Sequence, residues 1–488
     1  MTGAAWPSVT KRAVRNDGGG RRGRGSRGKS GLAPLASVLR APGEATFKMT
    51  ALLLAAALLF GGASRENALQ LVGLELLSLP AIALAASRLG QRGAADDLKA
   101  PLVLLGLMAA LPLLQLVPIP FEVWRHLPGR EEIAQGLLLA GAAPAYLPLS
   151  LTPETTLAAA LTLLIPAGVF LGASACSRKQ QKLLAALVIL GAGVSLLLGL
   201  LQVADGSDSP LRFYASTNPD VAVGLFANRN HHAIFLLLAL PLIAMWLSDL
   251  SAKRGRQLPL LSVAALALFG VILVSVAITR SRAGFVLTLP AVAGSLLILW
   301  NGRMRQRMRA TVAGFAAVAI ASLTAIGLLA LDAILERFDV ATDEAFRTQM
   351  WPSVREAANH YSPVGAGLDS FSQLYRAVEP LNLMGAFFVN QAHNEYLQVW
   401  FELGLAAAIV GVAFFIWIAS RAVRAWQGRD NAAAQAATIV VGLLIMHSVV
   451  DYPTRTPAIM AVLGLSCALL ARRRRSDGGP SHSKADQA

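Results

Sequence analysis

The chain carries one histidine in a position suited to acid–base chemistry at a membrane surface. His393 lies where a long polar segment, residues 332–393, ends and a long apolar stretch begins, and Asn394 follows it. A neutral imidazole is an effective general base because its ordinary pKa lies near ambient pH. Polar segments held on a rigid scaffold are where catalytic groups usually lie. The alternative is an ordinary histidine that bonds a backbone carbonyl at the start of a helix.

Arginines beside the apolar blocks indicate an anion-binding site. Arg280 and Arg282 lie in ITRSRAGFV, between two apolar blocks that almost touch. Charges so near the hydrocarbon edge are costly unless they snorkel or pair. The planar guanidinium matches phosphate oxygens, so Arg282 is predicted to bind an anionic headgroup presented from the bilayer. Snorkelling to the interface is the alternative.

Two more arginines lie within the polar segment. The stretches DEAFRTQMW and SVREAANHY are predicted to be helical on either side of Pro352. Arg347, Trp351 and Arg355 are spaced by four residues and can share one helix face, which Pro352 can bend. The functional interpretation is a second phosphate clamp, with Arg347 the better candidate. The alternative is a solvated helix face on which Trp351 packs.

Two further polar clusters flank apolar blocks. GLFANRNHHA contains Asn228 and Asn230, which are predicted to cap the following helix or to contribute to a site. Its adjacent histidines point to different sides of a helix, so they indicate no metal site. HSVVDYPTR places His447 and Asp451 at i and i+4 on one helix face. Both a structural pair with a nearby arginine and a role in a site stay open for them.

The sequence predicts no metal and no cofactor. The run Pro363–Gly367 is interpreted as a turn and not as a nucleotide-binding loop, and the segments placed outside the membrane contain no paired Asp-x-Asp. Cys176 and Cys467 are far apart, which provides no disulfide framework. Glu402 lies inside the apolar stretch after His393, so its carboxylate needs a partner.

Hydropathy sets the fold class. The 488 residues are 55% hydrophobic and 15% charged, whereas soluble domains carry about 25% charge. The apolar residues form blocks long enough to cross about 30 Å of hydrocarbon as helices. We therefore predict an all-α, polytopic integral membrane protein with about twelve spans. These lie at 49–64, 67–87, 101–118, 154–175, 183–203, 230–248, 258–278, 283–300, 310–331, 395–419, 434–451 and 456–471.

The distribution of positive charge predicts the orientation. With both termini in the cytoplasm, each inside loop carries three or four Lys or Arg residues, as the positive-inside rule requires. The polar segment 332–393 then lies outside, between spans nine and ten. Residues 133–148 are apolar enough to resemble a further span, but counting them would invert every later loop. They are interpreted as an interfacial or re-entrant helix beside Trp124.

The chain divides into three parts. Residues 1–48 are predicted to be a disordered basic cytoplasmic tail, 49–472 a transmembrane domain, and 473–488 a second cytoplasmic tail. The net charge of +15 does not indicate nucleic acid, because the cations lie mostly in short loops next to membrane lipids. For the first tail, contact with RNA or anionic lipid, translation starting at Met49, and a cleaved signal peptide are alternatives.

Several of these stretches occur together in one known family. They are G-x-F-x-N-x-N (224–230), T-R-S-R-A-G (279–284), Arg347 with Trp351, G-A-G-x-x-S-F (365–371), H-N-E-Y-L-Q with E-L-G (393–404), and H-S-x-x-D-x-P (447–453). As an ordered set they resemble the O-antigen ligase and O-antigen polymerase family over about residues 150–470. Before residue 150 only the multi-span character is similar.

The resemblance implies a glycosyltransferase of the C-type superfamily in the bacterial inner membrane. Such an enzyme takes its glycan from undecaprenyl diphosphate on the periplasmic side, without nucleotide or metal. By motif match, Arg282 and Arg347 would hold the lipid diphosphate and His393 would activate the acceptor hydroxyl. Asp451 would match an acidic position of the family. The remaining predicted substrate-binding residues are Arg280, Arg355, Asn228, Asn230 and Asn394.

The acceptor separates the alternatives within this family. A ligase uses a sugar of the lipid A core, a polymerase uses a lipid-linked glycan, and a protein O-glycosyltransferase uses a side-chain hydroxyl. The ligase is the favoured interpretation, with an O-antigen or exopolysaccharide polymerase next. From other classes, a polysaccharide or lipid transporter and a binding-only scaffold stay open. A transporter should carry ionisable groups near the bilayer midplane, whereas most of those in this chain gather at one face.

Replacing the predicted base or the predicted diphosphate ligand tests this mechanism. Arg282→Ala and His393→Ala should each lower the transfer rate at least about a hundredfold, because charge stabilisation and general-base catalysis are each worth that much. The measurement is transfer per molecule of protein at matched expression. Near-normal product from either variant would contradict the assignment.

Overall fold

The computed structural model of the protein is mostly helical. It describes Gly3, several residues between 313 and 324, and the ranges 43–64, 68–92, 96–251, 258–301, 343–384, 389–427 and 431–471. Residues 42–488 belong to one compact unit, and residues 1–41 form a separate one.

The apolar blocks of the sequence fold as helices. The long ones are α1 (Glu44–Phe60), α2 (Ala68–Arg92), α3 (Asp96–Gln115), α6 (Pro153–Thr162), α7 (Leu164–Ala175), α8 (Arg178–Asp205), α9 (Arg229–Ser251), α10 (Leu258–Ile278), α11 (Arg282–Asn301), α14 (Glu395–Gln427), α15 (Ala432–His447) and α16 (Pro457–Ala471). The helices of the polar connections are α4 (Phe121–Trp124), α5 (Glu131–Leu139), α12 (Asp343–His360) and α13 (Phe371–Leu374).

Seven helical stretches among the described residues are long and apolar enough to cross a membrane, and three further apolar helices are shorter. These elements overlap predicted spans. The predicted span 154–175 corresponds to α6 and α7, which together form one of the seven stretches. The predicted ninth span, 310–331, lies largely outside the described residues. The count of twelve therefore stays a prediction.

Helix α9 forms the centre of the bundle. Residues 233–240 are all buried, and the helix packs against α8, α10, α11 and α15. A helix that is apolar on every side is stable only when other helices surround it. The first turn of α9 therefore has a fixed position, and this turn carries Asn230 and His231.

The connection after α3 forms a cap, here defined as residues 118–150. Strands β1 (Pro118–Pro120) and β2 (Tyr146–Pro148) pair antiparallel, a short sheet that the all-α prediction missed. Helix α5 has nine residues and is about 14 Å long, too short to cross the bilayer. This agrees with the prediction that residues 133–148 are not a span. The Trp124 indole donates to the Pro148 carbonyl at 2.8 Å.

Arg130 attaches the cap to the polar segment. Its side chain is fully buried and donates to the carbonyls of Pro128, Leu149 and Gly365, each at 2.7 Å. Burial lowers the pKa of its guanidinium to about 10, so the group stays cationic at neutral pH. Three carbonyls thus replace the water that this cation lost on folding.

The polar segment folds on its own apolar core. Helix α12 runs through Pro352 as one element, where the sequence indicated two helical pieces. Its buried face, which includes Met350 and Val354, packs with Phe371, Tyr375 and Phe401. Because Phe401 belongs to α14, this core holds the polar segment against the helix that follows it.

Helix α14 is broken at Gly404, where the sequence predicted a regular span. Gly404 has φ 62° and ψ −151°, a conformation essentially restricted to glycine. The break frees two carbonyls, and neighbouring groups satisfy them. Phe401 O accepts from Ala366 N, and Glu402 O accepts from Gly367 N and from the Gln115 side chain. The 363–367 turn therefore docks directly on the broken helix.

The predicted tails are only partly covered by the structure. Helix α1 begins at Glu44, five residues before the predicted start of the transmembrane domain at residue 49, and the domain boundaries stay predictions. Apart from Gly3, residues 1–42 lie outside the described residues, and so do residues 472–488.

Removing the Arg130 guanidinium should destabilise the protein. Arg130→Met leaves buried carbonyls without donors, and we expect the free energy of unfolding to fall by about 3 kcal/mol or more. The measurement is denaturation of the purified protein in detergent. Arg125→Met is the matched control, because Arg125 pairs with the exposed Glu122 and should cost less than about 1 kcal/mol. Equal losses in the two variants would contradict this account.

Candidate functional site

Two hydrogen bonds hold the backbone of Ala392, the residue before His393. The Trp351 indole donates to the Ala392 carbonyl at 3.1 Å, and the Ala392 amide donates to Gln398 Oε1 at 3.0 Å. His393 itself has φ 49°, a left-handed conformation that is uncommon without glycine and marks a constrained residue. Helix α12 and the first turn of α14 thus jointly hold the backbone from which the imidazole projects.

Asp451 is the partner of His393. Their closest atoms, His393 Nδ1 and Asp451 Oδ1, are 3.3 Å apart. Asp451 is fully buried, whereas the His393 side chain is 18% exposed. A carboxylate only accepts hydrogen bonds, so Nδ1 carries the proton of the neutral ring. This leaves the lone pair on Nε2, the tautomer required of a base.

Asp451 is ionised in spite of its burial. Burial by itself would raise the pKa of this carboxyl group. The hydrogen bond from His393 and the positive charge of Arg347 outweigh it and hold the pKa well below its usual range. The Tyr452 amide donates to Oδ1 at 3.0 Å, and Asn230 Nδ2 donates to Oδ2 at 2.6 Å.

Asn230 connects this carboxylate to the start of α11. Its Oδ1 accepts from Ser281 Oγ at 2.7 Å. The same hydroxyl accepts from the Gly284 amide, so Ser281 caps α11. Arg282, the first residue of that helix, directly follows Ser281, which is linked to Asp451 through Asn230. Its side chain is partly exposed.

Arg347 approaches the same group from α12. Its Nη1 is 3.4 Å from the Val450 carbonyl, directly before Asp451 in the chain. The side chain is partly exposed, so the group is open to solvent while its charge still acts on Asp451. Arg347, His393 and the turn before α11 thus meet around one buried carboxylate.

Two buried carboxylates of α14 fix the 448–456 turn, which carries Asp451. Glu395 accepts from the hydroxyls of Ser448 and Thr454 and from the Thr454 amide. Arg455 Nη2 lies 2.7 Å from Glu402 Oε2. Burial would lower the pKa of Arg455, but Glu402 and Asp369 raise it further than burial lowers it. The partner that the sequence required for Glu402 is therefore structural.

Other predicted site residues have different positions. Arg280 and Arg355 are exposed. Asn394 Oδ1 accepts from the amides of Tyr396 and Leu397 and caps α14, while Asn228 Oδ1 accepts from the Asn230 amide and caps α9. The capping interpretation of Asn228 thus holds.

The two histidine clusters are also resolved. His231 and His232 bond different partners, Thr456 Oγ1 and Ser195 Oγ, each at 2.9 Å. The prediction that His447 and Asp451 share a helix face was wrong. Helix α15 ends at His447, and the turn that follows directs Asp451 towards Asn230 and His393. Within the described ranges, no three His, Cys, Asp or Glu side chains are grouped to hold a metal ion.

The sequence of this region matches a known family. A sequence model of the family described as O-antigen ligase matches residues 265–412. This segment is similar to the O-antigen ligase family, which supports the resemblance seen in the polar motifs. Members of the family are glycosyltransferase-like enzymes that use lipid-linked glycans. The match includes Arg282, Arg347 and His393, whereas Asn230 and Asp451 lie outside it. No curated protein matches the chain.

The sequence did not reveal the residues that support this candidate site. Glu395, Ser281 and Arg455 each contact distant parts of the chain, and Gln398 holds the backbone next to His393. One signal was available, because polar residues within apolar stretches require partners. Glu395 and Gln398 both meet that criterion, as Glu402 did.

Asp451→Asn should show how the carboxylate stabilises the fold. The pKa of Asp451 is depressed in the folded protein, so its carboxylate contributes fully to the free energy of unfolding above the unfolded pKa of about 3.9. This contribution is lost as pH falls through the folded pKa. We expect Asp451→Asn to lose at least about 2 kcal/mol at neutral pH.

The pH dependence distinguishes this contribution from simple packing. Denaturation in detergent should give a constant difference between wild type and Asp451→Asn from about pH 5 to 8, shrinking below about pH 4. Glu122→Gln, at the exposed pair with Arg125, is the control and should show almost no difference. A difference that already declines between pH 7 and pH 5 would contradict the depressed pKa.

Proposed function

We propose that the chain is an O-antigen ligase that moves a glycan from undecaprenyl diphosphate to a hydroxyl of the lipid A core. The bacterial inner membrane holds the protein, both termini face the cytoplasm, and the reaction takes place on the periplasmic face. The observation that carries the proposal is the contact of His393 with buried Asp451 beside Arg347. An O-antigen or exopolysaccharide polymerase would use the same groups with a lipid-linked acceptor.

The imidazole acts as the general base. Its Nδ1–H donates to Asp451, and Nε2 removes the proton of the acceptor hydroxyl as the oxygen attacks the anomeric carbon. The imidazolium that forms is stabilised by the carboxylate, which does not itself take up the proton. Because Asp451 is anionic before the reaction begins, this stabilisation needs no rearrangement.

The arginines act on the leaving group. The bond between the anomeric carbon and the diphosphate oxygen breaks, and the diphosphate leaves with the electron pair. Arg282, at the start of an apolar helix, is suited to a phosphate at headgroup level. Arg347 adds a second positive charge from the polar segment. Attack opposite to the leaving group inverts the anomeric configuration. The arginine side chains stabilise the negative charge that develops on the diphosphate.

The test is a reaction with purified components. The full-length protein in liposomes receives undecaprenyl-diphosphate glycan and lipid A core, without nucleotide and with a chelator. We expect glycosylated lipid A core and free undecaprenyl diphosphate in equal amounts. Product formed only with a lipid-linked glycan acceptor would replace the ligase by the polymerase. Glycan movement across the membrane without free lipid diphosphate would overturn both in favour of a transporter.

Matched variants separate loss of chemistry from loss of fold. His126, in the cap, is exposed and provides the control for His393. His126→Ala should keep wild-type turnover, while His393→Ala should lose at least about a hundredfold. Equal turnover in the two variants would remove His393 from the mechanism.

A further inference from the structure

The Tyr452 ring contacts two histidine rings, one of which is His393. The Tyr452 ring centroid lies 5.1 Å from that of His393, at an interplanar angle of 61°. The His231 ring lies 5.0 Å from the Tyr452 ring, at 89°. His231 is in turn fixed by Thr456 Oγ1 at 2.9 Å. Tyr452 therefore packs against both a buried, hydrogen-bonded ring and the imidazole of His393.

The position of Tyr452 follows from its backbone. It is the residue after Asp451, and its amide donates to Asp451 Oδ1 at 3.0 Å. Its carbonyl accepts from the Arg455 amide at 3.2 Å. The 448–456 turn that supplies the carboxylate thus also supplies the ring, and only 7% of Tyr452 is exposed.

The Tyr452 ring is placed to act on the orientation of the His393 imidazole. The hydrogen bond to Asp451 restrains Nδ1, and at 3.3 Å it is longer than a usual N–H···O distance of about 2.9 Å. General-base catalysis also requires the other ring nitrogen to point at the reacting hydroxyl, so the plane of the imidazole matters. The Tyr452 ring packs on the imidazole in an edge-to-face arrangement, with ring centroids 5.1 Å apart, and this packing restrains that plane.

We propose that Tyr452 is a positioning residue that orients the His393 imidazole, and that the packing of His231 on Tyr452 supports it. This inference rests on the proposed role of His393 as the base. The aromatic ring carries the effect, and the phenol hydroxyl is not required. Phenylalanine should therefore replace Tyr452, whereas an aliphatic side chain should not.

The test combines kinetics with the chemical reactivity of His393. Tyr452→Leu should lower kcat about tenfold or more and leave KM for the lipid-linked donor within about twofold, because a misplaced base slows the reaction without weakening donor binding. Tyr452→Phe should stay within about threefold of wild type in both. Modification of His393 by diethyl pyrocarbonate, located by peptide mass spectrometry, should be several-fold faster in Tyr452→Leu and unchanged in Tyr452→Phe.

Tyr396→Leu provides the matched loss of an aromatic ring. Tyr396 is 39% exposed and packs against Phe415 on the same helix, so its removal should change neither kcat nor His393 reactivity. If Tyr452→Leu does not accumulate in membranes, Tyr452→Met serves for the same two measurements.

The outcomes keep this inference apart from the proposed function. Wild-type His393 reactivity in the aliphatic variants would overturn the positioning role, even with His393 confirmed as the base. An equal loss of kcat in Tyr452→Phe would also overturn it, since that result assigns the effect to the hydroxyl. Faster modification of His393 in a protein that transfers no glycan would support the positioning role while the proposed function fails.

Discussion

The buried carboxylate of Asp451 is the interaction on which this site depends. An ionised carboxylate without partners inside a protein costs several kcal/mol, so the groups that donate to it are held firmly in place. These groups come from α9, from the polar segment and from the 448–456 turn. One charge therefore joins three separate parts of the chain, and it brings the imidazole close to Arg347.

The break in α14 provides the second constraint. Its freed carbonyls need donors, and the 363–367 turn and Gln115 provide them. Arg130 then holds the same turn from the cap. The polar segment is thus bound on two sides. The backbone at the end of such a segment can be precisely placed although it does not lie on a long regular helix, because the surrounding hydrogen bonds leave it little freedom.

Local features of the sequence predicted much of this arrangement. Hydropathy located most apolar helices, and the polar motifs predicted Arg282, Arg347 and His393 as candidate site residues. The predictions that were wrong concern geometry. Asp451 does not extend the helix of His447, α12 continues through Pro352, and residues 118–120 and 146–148 form strands. In each case local sequence features left the course of the backbone open, and tertiary packing decided it.

The sequence by itself determined which stretches are helical and which side chains are suited to chemistry, because hydropathy and residue type are local properties. The tertiary structure alone decided which groups meet. Asn230 and Asp451 are 221 residues apart, and His393 and Asp451 are 58 apart. No periodicity links such positions. Their contact follows from how helices pack and where α14 breaks, and it persists because a buried carboxylate without donors would be too costly.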